Sequence, residues 1–438
     1  MDFLKKNLSW LVVVLLVFIP VLLWLGMIPL KFRFGGVIAI CTSLGQLAAL
    51  AGMVLFSWSL ILSARLKFFD RYLGGLNRVY VNHHRIGAAA FVLLLFHPLF
   101  LTVRLGAHSL VMAAKFWLPS GNWALNFGLA ALFGMMVLLI LTFFVSLKYS
   151  AWKNTHKYLG AAFFLGGLHA LMITSDISRN PILRYYMFTL ALLGIAAYVY
   201  RTILGRWLVR RYLYVVDEIK NLGNSVAEIS LLPLDANQAM SYTAGQFGFI
   251  HFNDIQVGKE QHPFSFVSAP SDRYIKFAIK NLGDYTSVLS RLSKGTVAQL
   301  EGPYGRFSFL NCKNKKQIWL AGGIGITPFV SMGLYLAGLP DAADYSIDLY
   351  YCVRDAAEMV LSTELTSVCQ KCTDFRVISF CSNAQGFINA KFVSDTSNGL
   401  ADKDIFLCGP PPMVKSLKEQ FKQMGVSHNH IHSEEFSF

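Results

Sequence analysis

Residues 79–103 read VYVNHHRIGAAAFVLLLFHPLFLTV. The stretch is apolar over more than the roughly 20 residues a bilayer requires, yet it carries His83 and His97. Polar side chains inside a membrane are costly, and those that occur usually serve function. Residues 156–174 repeat the pattern. His156-Lys157-Tyr158-Leu159-Gly160 mirrors His83-His84-Arg85-Ile86-Gly87, and His169 follows as His97 does. The repeat makes His83, rather than His84, the counterpart of His156. Within each stretch the two histidines are separated by roughly 20 Å of helix.

These stretches are the third and fifth of six apolar runs: 8–30, 35–63, 79–103, 123–147, 156–174 and 183–204. Spans three and five cross in the same direction, so His83 meets His156 at one level and His97 meets His169 at the other. Two imidazoles on facing helices can hold a planar haem iron from both sides, and two levels give two stacked haems. A single buried histidine is ordinarily bonded to a neighbouring helix; four at matched spacing favour ligation. The angular match is imperfect. Fourteen residues return to within about 40° of the starting face, whereas thirteen end about 140° away. Either a local irregularity near Gly160, Gly166 and Gly167 or a rotation between the haems is required. Arg85 and Lys157 are candidate propionate partners, or equally anchors of the positive-inside kind. His108 belongs to an exposed outer loop.

Composition agrees with a membrane half. Hydrophobic residues make up 54% of the 438 and charged ones 15%, which excludes disorder and an ordinary soluble protein. Up to Tyr214 the chain holds 20 Lys+Arg and 3 Asp+Glu; from Val215 it holds 19 and 22. Two kinds of domain follow. In the short loops, twelve basic residues lie on the side of Lys5 and Arg65 and six on the side of Lys31 and Arg104, which places both termini in the cytoplasm. The net charge of +14 is therefore a topology signal rather than a nucleic-acid footprint. Lys5 and Lys6 before the first run resemble a signal peptide, but no small-x-small cleavage site follows, so a retained anchor in a bacterial inner membrane is expected. Of seven cysteines, six lie in the second half without regular spacing, as reduced thiols do. Cys369-x-x-Cys372 lacks the further ligands zinc requires.

From about Tyr212 the pattern turns to short alternating strands. Residues 226–232, 246–252, 274–279 and 296–300 fit an antiparallel barrel. Residues 318–320, 347–351, 376–380 and 405–408 fit a parallel sheet, whose ligands bind at the carboxyl ends of the strands. Those ends carry Ala321-Gly322-Gly323-Ile324-Gly325-Ile326-Thr327-Pro328 and Cys408-Gly409-Pro410-Pro411-Pro412-Met413. Bare backbone amides opening a helix suit a pyrophosphate. In the barrel half lie His262-Pro263-Phe264-Ser265-Phe266-Val267-Ser268 and Lys280-Asn281-Leu282-Gly283-Asp284-Tyr285-Thr286.

On these motifs the whole chain resembles the bacterial branch of the NADPH oxidase and ferric reductase superfamily, and is especially similar to bacterial stand-alone NADPH oxidases. The resemblance implies a six-helix transmembrane bundle (1–211), an antiparallel β-barrel FAD domain (212–312) and an α/β NAD(P)H-binding domain (313–438). It implies two b-type haems on His83, His97, His156 and His169. It implies that His262, Pro263, Phe264, Ser265 and Ser268 surround the flavin, with Ser265 near its N5, and that Lys280, Gly283 and Thr286 meet the FAD pyrophosphate. Gly322, Gly323, Gly325 and Thr327 would hold the nicotinamide cofactor's phosphates, and Cys408 and Gly409 would lie beside its ring. Phe436, or alternatively Phe438, would cover the flavin until nicotinamide displaces it. Arg354 resembles a position that meets the 2′-phosphate, which favours NADPH over NADH. His428-x-His430-x-His432 reads as a polar strand leading to that end rather than as a metal site.

The function expected is electron transfer from cytoplasmic NAD(P)H through FAD and both haems to an outside acceptor, dioxygen giving superoxide or, alternatively, a ferric chelate. The other class is a haem subunit serving a periplasmic partner protein. No calcium loop is present, so constitutive activity without an obligatory protein partner is expected, in contact with membrane lipid and with no nucleic acid.

Overall fold

The computed structural model describes residues 2–223, 225–258 and 260–434. The chain divides into two units between Val209 and Arg210.

The first unit is helical. Among the described residues, five helices are long and apolar enough to cross a membrane: Leu8–Leu25, Val37–Ser63, Leu76–Gly106, Trp123–Phe143 and Pro181–Ile203. They lack a polar face, and large apolar side chains such as Val14, Phe96, Ile140 and Leu192 point outward, as lipid-facing surfaces do. Five is one fewer than the sequence reading. The difference is the fifth expected span, 156–174. It falls into two helices, Tyr149–Lys157 and Leu159–Met172, that meet at Tyr158. The first is polar, with Lys153, Asn154, Thr155 and His156 in succession. Only the 14 residues of the second are apolar, and these reach about 21 Å, short of a hydrocarbon core of about 30 Å. The Val37–Ser63 helix packs along Leu76–Gly106, and Trp123–Phe143 packs along Leu159–Met172.

The second unit opens with a six-stranded antiparallel sheet: β1 Tyr212–Asn221, β2 Val226–Pro233, β3 Phe247–Phe252, β4 His262–Ser265, β5 Ile275–Lys280 and β6 Val297–Tyr304. The order is β4-β3-β6-β1-β2-β5. The Val267 N–H donates to Lys276 O at 2.9 Å between the two edges, so the barrel is nearly closed. Tyr214, Ile229, Phe252, Phe277 and Leu300 fill it. A parallel sheet follows, formed by β7 Lys316–Gly322, β8 Ser346–Val353, β9 Phe375–Cys381, β10 Asp404–Cys408 and β11 Ile431–Glu434. Its order, β11-β10-β7-β8-β9, reverses direction of growth between β7 and β10. The crevice at such a reversal, beyond the strands' carboxyl ends, is where open α/β sheets bind ligands.

Candidate functional site

The membrane unit brings its four expected histidines together in two pairs. The rings of His83 and His156 have centres 6.1 Å apart, with planes at 73°. Those of His97 and His169 are 6.4 Å apart, at 60°. One ion held between two imidazoles, at about 2 Å per bond and about 1.1 Å from each nitrogen to its ring centre, sets the centres about 6 Å apart. Both pairs match that spacing. His84 turns aside to the edge of Phe143.

The Nδ1 atoms show which nitrogen is available. His83 Nδ1–H donates to Ser59 O, His97 Nδ1–H to Gly45 O and His169 Nδ1–H to Ala124 O, each at 2.8 Å. A carbonyl only accepts, so these bonds place the proton on Nδ1 and leave the Nε2 lone pair free. Metal-ligating histidines are oriented by such bonds. His156 Nδ1 is buried without a hydrogen-bond partner among the described residues, and its ring stacks on Trp152 instead. Gly128 makes room for His169: a Cβ there would stand 2.8 Å from His169 Nδ1. The break at Tyr158 lies between His156 and His169 and interrupts the helical phase between them. It supplies the irregularity that a 13-residue spacing requires.

The outer pair borders a cavity of about 190 Å³, lined by apolar residues such as Met53, Leu94, Leu132 and Phe163. Its polar wall was not anticipated. Asp176 is 6% exposed and accepts from Trp24 Nε1 at 2.8 Å and from Arg33 at 3.3 Å. The Arg33 guanidinium lies 3.4 Å over the Trp24 ring. A signal existed: Asp176 is one of only three acidic residues before Tyr214. Arg85 is exposed and Lys157 Nζ donates to Asn154.

In the barrel, His262 and Pro263 of β4 pair with Ile250 and Phe249 of β3, and Phe264 with Gly248. The His262 ring stacks on Tyr285 at 3.8 Å and meets Glu260 at 2.9 Å. Ser265 Oγ is buried with no hydrogen-bond partner among the described residues, an orphan that a flavin atom would satisfy. The Ser268 hydroxyl is already engaged by Tyr242 and by the Lys276 N–H. Thr286 Oγ1 accepts from the N–H groups of Leu282 and Gly283, so it shapes the turn that follows Lys280.

At the parallel-sheet reversal, the two glycine-bearing loops pack on one another. A Cβ on Gly325 would stand 2.4 Å from Cys408 O, and one on Gly409 2.9 Å from Gly322 Cα. Gly323 has φ +54° and faces open space, presenting bare backbone. Thr327 Oγ1 donates to Ile324 O and opens the Thr327–Leu336 helix. Arg354 is exposed beyond the carboxyl end of β8. Burial, with the Glu434 carboxylate beside it, holds the Cys408 thiol well above the ordinary range, so it stays protonated. Phe436 and Phe438 lie outside the described residues.

Comparison with known proteins gives three consecutive family matches. A ferric reductase like transmembrane component matches residues 48–167, an FAD-binding domain 217–316 and an oxidoreductase NAD-binding domain 319–419. The chain is 27% identical over 212 residues to the 2-halobenzoate 1,2-dioxygenase electron transfer component of Burkholderia cepacia, covering 46% of this chain and 61% of that protein. It is 27% identical over 223 residues to the anthranilate 1,2-dioxygenase electron transfer component of Acinetobacter baylyi, covering 47% and 62%. The chain thus spans about three fifths of the length of these curated relatives. The flavohemoglobin of Malassezia yamatoensis shares the fold with a TM-score of 0.51 at 18% identity, over 93% of this chain and 98% of that one. With a ferric-reductase-like membrane domain followed by FAD-binding and NAD(P)H-binding oxidoreductase domains, the chain has the ferric reductase/NADPH oxidase-like architecture.

Proposed function

We propose that the chain carries electrons from cytoplasmic NAD(P)H across the membrane to dioxygen outside, releasing superoxide. The observation that carries this reading is the two histidine pairs, spaced for one ion each, with carbonyls fixing the proton on Nδ1 in three of the four rings. Bound FAD would supply hydride acceptance from the nicotinamide and one-electron transfer toward two b-type haems. His83 and His156 would hold the inner haem, and His97 and His169 the outer one. Ser265 would offer its hydroxyl to the flavin, the backbone of Gly322, Gly323 and Gly325 would receive the nucleotide's phosphates, and the protonated Cys408 thiol would border the nicotinamide without acting as a nucleophile.

In this reading the chain crosses the membrane six times, in a bacterial inner membrane, with both termini and the reductase module in the cytoplasm. The pair of helices broken at Tyr158 supplies the fifth crossing. The boundaries proposed are 1–211, 212–312 and 313–438. Dioxygen is put before a ferric chelate because no cluster of iron-binding side chains stands out in the outer-loop sequence, and dioxygen needs little binding site.

The test is reduction of external cytochrome c by the purified, FAD-supplemented protein with NADPH, with and without superoxide dismutase. Strong inhibition by the dismutase is expected. Reduction that the dismutase leaves unchanged would move the acceptor to ferric iron or a protein partner.

Arg354 gives a second expectation. Replacing it by alanine would remove a charge-assisted contact to the 2′-phosphate of about 1.5–3 kcal/mol, so kcat/KM for NADPH should fall about 10- to 150-fold. NADH, which lacks that phosphate, is nearly unaffected. Equal losses with both cofactors would show that Arg354 does not read the phosphate.

A further inference from the structure

One cluster of ligating side chains belongs to none of the sites above. It lies at the amino ends of the parallel strands, opposite the glycine loops. Asp404 opens β10, His432 sits on β11, and Cys312 precedes β7. One ligand atom from each of Cys312, Asp404 and His432 lies within 4.8 Å of the others. His432 Nε2 is 2.9 Å from Asp404 Oδ1 and 3.3 Å from Cys312 Sγ. His430 Nδ1 lies 3.1 Å from the same carboxylate oxygen.

The charge balance is unusual. Asp404 is 5% exposed, and among the described residues its only ionic partners are these two imidazoles. A buried carboxylate is ordinarily paired with a cation or coordinates a metal.

We propose that Cys312, Asp404 and His432 form a zinc site, with His430 beside the shared carboxylate. One thiolate, one carboxylate and one imidazole make three protein ligands, the number zinc takes where its fourth position stays open. Tetrahedral bonds of about 2.0–2.3 Å separate neighbouring ligand atoms by roughly 3.3–3.6 Å. The hydrogen-bonded separations of 2.9 and 3.3 Å are a few tenths shorter, so the cluster takes the ion by opening slightly. The Cys312 S–H proton leaves to solvent as the zinc–sulfur bond forms, and no electron moves. Zinc would tie the segment entering β7 to the sheet edge. It would also fix β11 two residues before Glu434, the register partner of Cys408. The histidine triplet was visible in the sequence; its partners Cys312 and Asp404 lie 120 and 28 residues from His432 and were not.

The test uses the full chain loaded with FAD and haem, stripped with chelator and dialysed against zinc ion. One zinc per chain is expected. Cys312→Ser and His432→Gln should each weaken zinc binding by more than about 100-fold, beyond the effect of losing a ligand's hydrogen-bond partner. Cys369→Ser should change nothing. In the unmutated chain, zinc should slow alkylation of Cys312, read by peptide mass spectrometry. That readout decides the matter if a variant loses FAD and so misfolds. Unchanged zinc affinity in folded C312S and H432Q, or Cys312 alkylated equally fast with and without zinc, overturns the proposal.

Discussion

Replacing His97 by alanine is expected to remove one haem of two and to stop electrons reaching an external acceptor. The ring opposes His169 at 6.4 Å and is oriented by Gly45 O. In the proposed reading its loss would leave a single imidazole to hold the outer iron. External reduction should fall by more than about 100-fold, beyond the roughly 10- to 100-fold effect of losing a ligand's hydrogen-bond partner. The inner pair, His83 and His156, belongs to a separate level and should keep its haem. Reduction of FAD by NADPH, followed by flavin bleaching without oxygen, should proceed at the unmutated rate. Haem content by pyridine haemochrome, together with the bleaching rate, checks both halves. A variant that retains two haems and full external reduction would remove His97 from the ligand set.

Gly325→Ala is expected to produce the opposite pattern. The added methyl would stand 2.4 Å from Cys408 O, a distance no carbon–oxygen contact tolerates. Either the loop after β7 or the Cys408-Gly409 loop must shift, at about 1–3 kcal/mol of overpacking strain. The loops that shift are those proposed to receive the nucleotide, so NADPH-driven flavin reduction should fall by about tenfold or more. Two haems should remain, and dithionite should reduce them normally. If kcat/KM for NADPH stays within twofold of the unmutated value, the glycine loops do not form the nucleotide site.

Much of this was legible in the sequence, and particular residues show where legibility ended. His83 and His97 stood out because a histidine in a 25-residue apolar run has no ordinary reason to be there. The pairing with His156 and His169 followed from the repeat. The fifth expected span does not form one apolar helix, because the residues before Tyr158 form a polar helix and the apolar helix begins at Leu159. The carbonyls of Ser59, Gly45 and Ala124 could not be read at all, since any residue type presents a carbonyl. Strands β1 and β4 have no assignment from the sequence; the four residues of β4 include Pro263 and show no alternating pattern. The polar strand read at His428-x-His430-x-His432 falls in part on β11, Ile431–Glu434. Its place beside β10 comes from parallel pairing across the sheet. The Arg33–Asp176 pair joins residues 143 apart, and only the folded chain brings them together.

In the proposed reading electrons cross the bilayer within this one chain. The most direct measurement places the protein in sealed vesicles with cytochrome c trapped inside and adds NADPH outside, where only molecules whose reductase module faces outward can use it. Reduction of the trapped cytochrome c, abolished by His97→Ala and suppressed by superoxide dismutase trapped with it, is the predicted result. NADPH oxidation that reduces only acceptors on the NADPH side, with the trapped cytochrome c left oxidised, would contradict it.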